Sequence, residues 1–312
     1  LETSRPAQML AVEGAFTCGA GRFSALEFAS KLEAIGAEIE FVNAGDGPTL
    51  RLNCLPDQLE AAWELLQLCF LEPRFDNGAF LAVRNARLAN VSANVKTEAF
   101  RARQAAQSAA WPGFDLENGN FTKELDALTR ETARSTFMDF MRVRCNLRFV
   151  TVGPIDAERI SDLLSTTIEA LPQGECSEST PYTTMPLLRQ ANLVMATGES
   201  EALAGIFPGP QASQTDVTAM RLIMHMLARR LRLQLVTRDG VADQVSAGYV
   251  DHPPSHNFIE IVGPNAFQCA EFALSELRRL KANGFSEKEV AEGKQSLLAE
   301  IALAYESATS LA

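Results

Sequence analysis

Apolar and polar positions alternate along this chain in two rhythms, and the order of those rhythms occurs twice. From Thr49 the chain reads TLRLNCLPDQLEAAWELLQLCFLEPRFDNGAFLAVRNARLANV, and from Phe258 it reads FIEIVGPNAFQCAEFALSELRRLKANGFSEKEVAEGKQSLLAEI. Each stretch opens with a β-type run and a proline. An amphipathic helix, a short break, a phenylalanine and a second helix follow. Pro56 corresponds to Pro264 and Phe75 to Phe285. After each phenylalanine comes an apolar residue at the fifth position (Phe80, Val290) and a basic one at the ninth (Arg84, Lys294). A period of this length predicts duplicated domains rather than a solenoid.

The rest of the pattern fills in around these copies. Residues 7–16 read as a short apolar helix, ended by a Gly-rich break over 17–23. Ser24 with Glu27 three residues on forms a capping box. The helix it starts carries an apolar face through Phe28, Leu32 and Ile35 and stops at Gly36. Strands over 38–43 and 49–55 predict a hairpin. Helices follow over 58–71 and 77–94. Residues 95–125 hold a polar helix and a Gly/Asn/Pro loop, read as surface. Thr129 caps a helix over 130–143, a strand over 146–153 closes the first domain, and a helix covers 155–171. Residues 172–187, rich in Pro, Ser and Thr, read as a linker. Beyond it the pattern gives strands over 190–197, 244–249 and 257–262, and helices over 215–235, 265–282 and 286–303.

The predicted fold is therefore α+β, with two duplicated domains, each a mainly antiparallel mixed sheet packed with helices. The first spans 1–171 and the second 188–312. The second copy is expected to be incomplete at its C-terminal end, as in a fragment of a longer polypeptide.

Composition narrows the class. The chain is 46% hydrophobic and 21% charged, as in soluble globular proteins, and its 312 residues suit two domains. Its net charge is −11 without a Lys/Arg stripe, which argues against binding a nucleic-acid backbone. The acidic balance fits solubility. Six cysteines show no C-x-x-C pair; Cys54, Cys69, Cys145 and Cys269 lie in apolar patterns and read as buried free thiols. No run approaches the ~20 apolar residues of a membrane span. A signal peptide is either absent or removed, which leaves the compartment open.

Three segments, GAGRFSALEFASKLEAIGAEIEF (19–41), PDQLEAAWELLQLCFLEPRF (56–75) and LTRETARSTFMDFMRVRCNLRFVTVGPID (128–156), resemble the pitrilysin/insulinase family of zinc peptidases. MLARRLRLQLVTRDG (226–240) and the helix pair 265–303 extend the likeness. The resemblance implies two duplicated domains per half-molecule and two halves that close like a clamshell. It also implies an inverted H-x-x-E-H motif, whose histidines bind zinc and whose glutamate is the general base, with a later glutamate as third ligand. In the family a Gly-Thr pair follows the motif; Gly19-Ala20 matches it. Counting back places the motif on Leu10-Ala11-Val12-Glu13-Gly14. Only Glu13 keeps its residue type, and Leu10 and Gly14 replace both histidines. The third ligand falls at Ala89-Asn90-Val91, and Glu98 is two helical turns out of register. The expectation is a degenerate site with no catalytic residue and no metal held by this chain, Glu13 being a solvated surface charge.

The family's Arg and Tyr clamp on substrate falls at Val236 and Asp243 by register on Gly240. Arg238 and Tyr249 are the candidate substitutes for substrate binding. His252 and His256 flank Pro253-Pro254 and read as surface loop residues, whereas His225 reads as a partly buried, satisfied histidine. Arg229, Arg230 and Arg232 read as a solvated helix face, and Gly19-Ala20-Gly21 lacks the spacing of a phosphate loop.

The resulting expectation is a non-catalytic half or subunit of a pitrilysin-type peptidase. It forms one wall of a peptide-binding chamber as a heterodimer, or as one half of a longer chain, with a zinc-bearing homologous partner. Peptide is expected to add to an open strand edge, at 42–46 or 49–55. The alternatives are a structural assembly subunit without substrate, and an independent hydrolase using Glu13 with an additional metal.

Overall fold

The computed structural model describes residues 4–44, 47–110, 119–154, 156–174, 192–198, 200–211, 213–250 and 255–304. Two compact units result. One is built from Leu1–Val91 and Gly119–Thr180, the other from Ser92–Asn118 and Pro181–Ala304.

In the first unit, α1 (Arg5–Thr17) has Pro6 in its opening turn and buries most of its length, including Met9, Leu10, Val12, Ala15 and Phe16. A helix apolar on nearly every face belongs at the centre of a core, and α1 is central here. Helix α2 (Ala25–Ala34) begins in the expected capping box: Ser24 Oγ accepts from Glu27 N, and Ser24 N donates to Glu27 Oε2 at 2.8 Å. Strands β1 (Glu38–Ala44) and β2 (Gly47–Asn53) form an antiparallel hairpin in which Phe41 pairs with Leu50. Helices α3 (Leu59–Leu71) and α4 (Asn77–Val95) follow.

Helix α5 (Glu98–Ala110) belongs to the second unit. The chain then returns with α6 (Gly119–Ala127), α7 (Arg130–Thr136), a π-helical turn at Phe137–Met141, and α8 (Ala157–Glu169). Phe16 meets Phe70 and Phe137 edge-on, at 5.0 and 5.9 Å between ring centroids, joining α1, α3 and the π turn. Trp63 Nε1 donates to Thr167 Oγ1 at 2.9 Å, which satisfies both buried polar groups and ties α3 to α8.

The second unit is a four-stranded antiparallel sheet in the order β3-β4-β6-β5. Its strands are β3 (Asn192–Thr197), β4 (Glu201–Pro208), β5 (Gln244–Val250) and β6 (His256–Gly263). Helix α5 lays Ala102, Ala106 and Ala110 against Ala202, Ala204 and Ile206 of β4. A second core gathers Leu203 with Met224, Leu227 and Leu231 of α9 (Val217–Arg232) and with Ile259 and Ile261 of β6. Helix α9 runs into a π-helical turn at Leu233–Arg238, and α10 (Ala266–Asn283) and α11 (Glu287–Ala304) complete the unit. The fold is α-rich with small antiparallel sheets.

Several expectations change. Residues 147–152 pair with no strand among the described residues; a 3-10 turn at Arg144–Asn146 precedes them. The helix read as surface is α5, whose small alanine face lets it approach β4 closely. Strand β4 was not expected. It is buried from Ala202 to Ile206 and so lacks the alternation of a half-exposed strand. The boundary 1–171 places residues 92–110 in the first domain, whereas these described residues group with the second unit. From residue 175 onward the linker lies outside the described residues, as does the strand start before Asn192. Cys145 is neither buried nor free: it is exposed and disulfide-bonded.

Candidate functional site

Positions 10, 13 and 14 share one face of α1, as i, i+3, i+4 spacing requires. Leu10 is fully buried. At Gly14 an added Cβ would stand 2.6 Å from Phe75 Cε1 and 2.9 Å from Phe75 Cδ1, so the ring occupies the space of any side chain there. The loop that follows α1 puts the ring in place. Arg74 N donates to Gly19 O at 3.0 Å and Asp76 N donates to Cys18 O at 2.8 Å. Between those two anchors Phe75 takes a left-handed backbone conformation, φ 54°, and its side chain turns in against α1.

Glu13 is not the solvated charge expected. Its carboxylate accepts from Arg87 Nε of α4 at 2.7 Å, and the two side chains keep only 15% and 28% of their exposure. Arg87 also lies over the Phe41 ring at 4.9 Å. It sits one turn before Asn90, just ahead of the 89–91 stretch where the resemblance places the third metal ligand. Helices α1 and α4 thus do converge, but they carry a carboxylate and a guanidinium. Leu10 offers no donor atom, Gly14 has no side chain, and Glu13 is engaged by a cation. These residues do not fit a zinc ion. Among the described residues no group of three His, Cys, Asp or Glu side chains is placed to hold a metal. Glu98 lies on α5, where it bonds Arg101 and Ser200.

The structure does not join the candidate substrate residues to each other. Arg238 is exposed at the end of its π turn and reaches Gln234 Oε1 at 3.5 Å. Tyr249, on β5, donates its hydroxyl to Pro210 O at 2.7 Å. That bond uses up the proton an oxyanion would need. Arg230 is no solvated arginine: it bonds Glu276 and Glu289 and covers the Phe285 ring at 5.0 Å. His256 is 7% exposed on β6 rather than in a surface loop, and His252 lies outside the described residues.

One further constellation has catalytic geometry. His225 Nε2 lies 3.1 Å from Ser296 Oγ, and His225 Nδ1 lies 3.2 Å from Glu300. Ser296 stands in the middle of α11, where neighbouring backbone N–H groups are spent within the helix. Among the described residues the trio is a clasp between α9 and α11. This matches the satisfied histidine read from the sequence.

A model of the peptidase M16 inactive domain matches residues 127–297, more than half of the chain. The chain belongs to that family. The resemblance to pitrilysin-type zinc peptidases therefore holds, on the non-catalytic side. No curated protein matches the sequence. Among solved structures, an M16 inactive domain from Pseudomonas fluorescens is 16% identical with a TM-score of 0.80, covering 99% of this chain and 77% of that one. A protease from Helicobacter pylori is 14% identical with a TM-score of 0.77, covering 99% and 79%. The periplasmic protease PqqL from Escherichia coli is 14% identical with a TM-score of 0.74; the match covers 97% of this chain but only 35% of that protein. At such identities the likeness establishes the fold. Among the described residues no helix is long and apolar enough to cross a membrane.

Proposed function

We propose that this M16 inactive domain is one wall of a peptide-binding chamber whose zinc sits in a homologous half. That half is either a separate subunit or another part of the same polypeptide. The observation that carries the reading is the pair of replacements on α1: the Phe75 ring fills the space beside Gly14, and Arg87 neutralises Glu13. Together they preserve the packing of α1 on α4 without a metal. A clamshell needs two walls but only one ion, so a half relieved of ligands is free to keep shape alone. The recurrence of strand, proline, helix, phenylalanine and helix in both units supports descent from a duplicated domain.

Substrate would be a peptide held through main-chain hydrogen bonds at an open strand edge. Among the described residues, β1 and β2 each pair along one edge only. Arg238, exposed in the second unit, is the candidate for a side-chain contact to peptide. Tyr249 is a candidate only if its bond to Pro210 opens.

The test is a quenched fluorescent peptide assay on this chain, on a homologue bearing an intact H-x-x-E-H, and on their mixture. Hydrolysis that appears or rises at least tenfold on mixing supports the half-enzyme. A complex that forms yet leaves hydrolysis unchanged would identify an assembly subunit instead. Hydrolysis by this chain alone would identify an independent hydrolase.

A further inference from the structure

Strand β6 carries a polar residue where its register calls for an apolar one. On the face that packs with α9, Ile261 lies opposite Leu203 and Val245, and Ile259 lies opposite Gly205 and Ala247. The next position on that face is Asn257, opposite Phe207 and Tyr249. Asn257 is fully buried. An apolar side chain would pack there without loss of hydration, whereas a buried amide needs a partner at each end.

Only one end has a partner. Asn257 Nδ2 donates to Pro208 O at 2.7 Å, and the Tyr249 hydroxyl donates to Pro210 O at 2.7 Å. Among the described residues no donor reaches Asn257 Oδ1. The segment lying on the pair explains why. Pro208-Gly209-Pro210 offers carbonyls, but its prolines have no N–H, and the N–H of Gly209 does not reach the acceptor. The approach is close: a Cβ added at Gly209 would stand 3.0 Å from Tyr249 Cε2 and 3.1 Å from Asn257 Nδ2. Pro208 is exposed, and Gly209 and Pro210 are half-buried, so the segment is at the surface. It answers two donors and leaves one acceptor unanswered.

We infer that Asn257 and Tyr249 form a binding site for peptide main chain, and that the Pro208–Pro210 segment occupies it as a stand-in. An incoming peptide has what the segment lacks. Its carbonyls replace those of Pro208 and Pro210, and an N–H between them donates to Asn257 Oδ1, so that every polar group of the pair is satisfied. Because the segment covers Asn257, it lifts as the peptide enters, and the two events are one exchange. The ligand class is an extended peptide with free main-chain N–H groups, and oligoproline is excluded. The inference rests on the peptide-binding reading above for its class of ligand, and adds to it a self-occupied site in the second unit.

The test is fluorescence anisotropy of a fluorescein-labelled Ala/Ser peptide on the full chain. Fluorescein-labelled oligoproline of equal length is the probe without N–H groups. The Ala/Ser peptide is expected to bind about tenfold more tightly, because only it satisfies the buried acceptor. Asn257→Leu, similar in volume and suited to an apolar face, is expected to erase that preference. Gly209→Ala presses the segment off the pair and is expected to tighten peptide binding. Amide exchange at Gly209 and Gln211 is the second measurement, and it is expected to quicken when wild type is saturated with the Ala/Ser peptide. Absence of binding, equal binding of the two probes, a preference that survives Asn257→Leu, or unchanged exchange would each overturn the inference. Hydrolysis that appears on mixing with the zinc-bearing homologue, and is unaffected by Asn257→Leu, would leave the chamber standing while this site falls.

Discussion

The segments that open at β2 and at β6 share one element order, yet their matching phenylalanines do unlike work. Phe75 is fully buried, closes the space beside Gly14, and carries the left-handed backbone itself. In the second segment Gly284 takes the left-handed position, at φ 67°, and the next residue, Phe285, is half-buried beneath Arg230. The fifth position follows the same division. Phe80 is 1% exposed, whereas Val290 is only partly buried. Arg84 is spent on the carbonyls of Asp126 and Leu128, whereas Lys294 is exposed. One sequence rhythm sets where helices begin and end; the surroundings decide whether the same side chain is a core plug or a cover. A phenylalanine tolerates a left-handed backbone, at a cost of about 1–2 kcal/mol, only where its ring gains more by burial.

Truncating the two rings gives the widest contrast. Phe75→Ala is expected to cost about 3–5 kcal/mol through the cavity it opens, and Phe285→Ala about 1 kcal/mol through the lost cation–ring contact. Urea unfolding of both variants measures the difference. Equal losses would break the comparison.

The ion pairs come next. Arg87→Ala leaves the largely shielded Glu13 carboxylate without its cation and is expected to cost about 2 kcal/mol. Arg51→Ala removes the more open pair with Glu40, whose side chain keeps 48% of its exposure, and is expected to cost less than about 1 kcal/mol. Differential scanning calorimetry of the two variants side by side ranks them. A cheaper loss at Arg87 would remove the claim that it holds α1 to α4.

The smallest effect is at the helix cap. Ser24→Ala is expected to cost about 1 kcal/mol. The Ser24 N–H, followed by its hydroxyl, holds the Glu27 carboxyl below its usual value. A carboxyl lowered on folding contributes stability above its unfolded pKa and loses it as pH falls through the folded one. Glu27→Gln should therefore flatten the acid limb of Tm against pH. An unchanged limb would show that the cap carries no pH dependence.

Legibility followed side-chain character. The helices of both repeated segments were read nearly to their ends because Leu, Phe and Val mark a 3.6-residue period plainly. Ala102, Ala106 and Ala110 mark the same period with residues too small to stand out, so α5 read as polar. Strand β4 gave no alternation because both of its faces are covered. That Leu10 and Gly14 carry no metal-binding side-chain atom was legible from residue type alone. The fillers were not: Phe75 lies sixty-one positions from Gly14, and only the loop bonds at Cys18 and Gly19 bring its ring there. Arg87 carried a faint signal, a basic residue near the place where the resemblance expects an acidic one. Cys145 misled because apolar neighbours in sequence are not neighbours in a turn.

The most direct measurement for the whole account is the zinc content of the full-length chain after equilibration with excess zinc and exhaustive dialysis. With Leu10 buried, Gly14 closed by Phe75 and Glu13 held by Arg87, the account predicts that no zinc is retained. One zinc per chain, lost when Glu13 is changed to Gln, would contradict it.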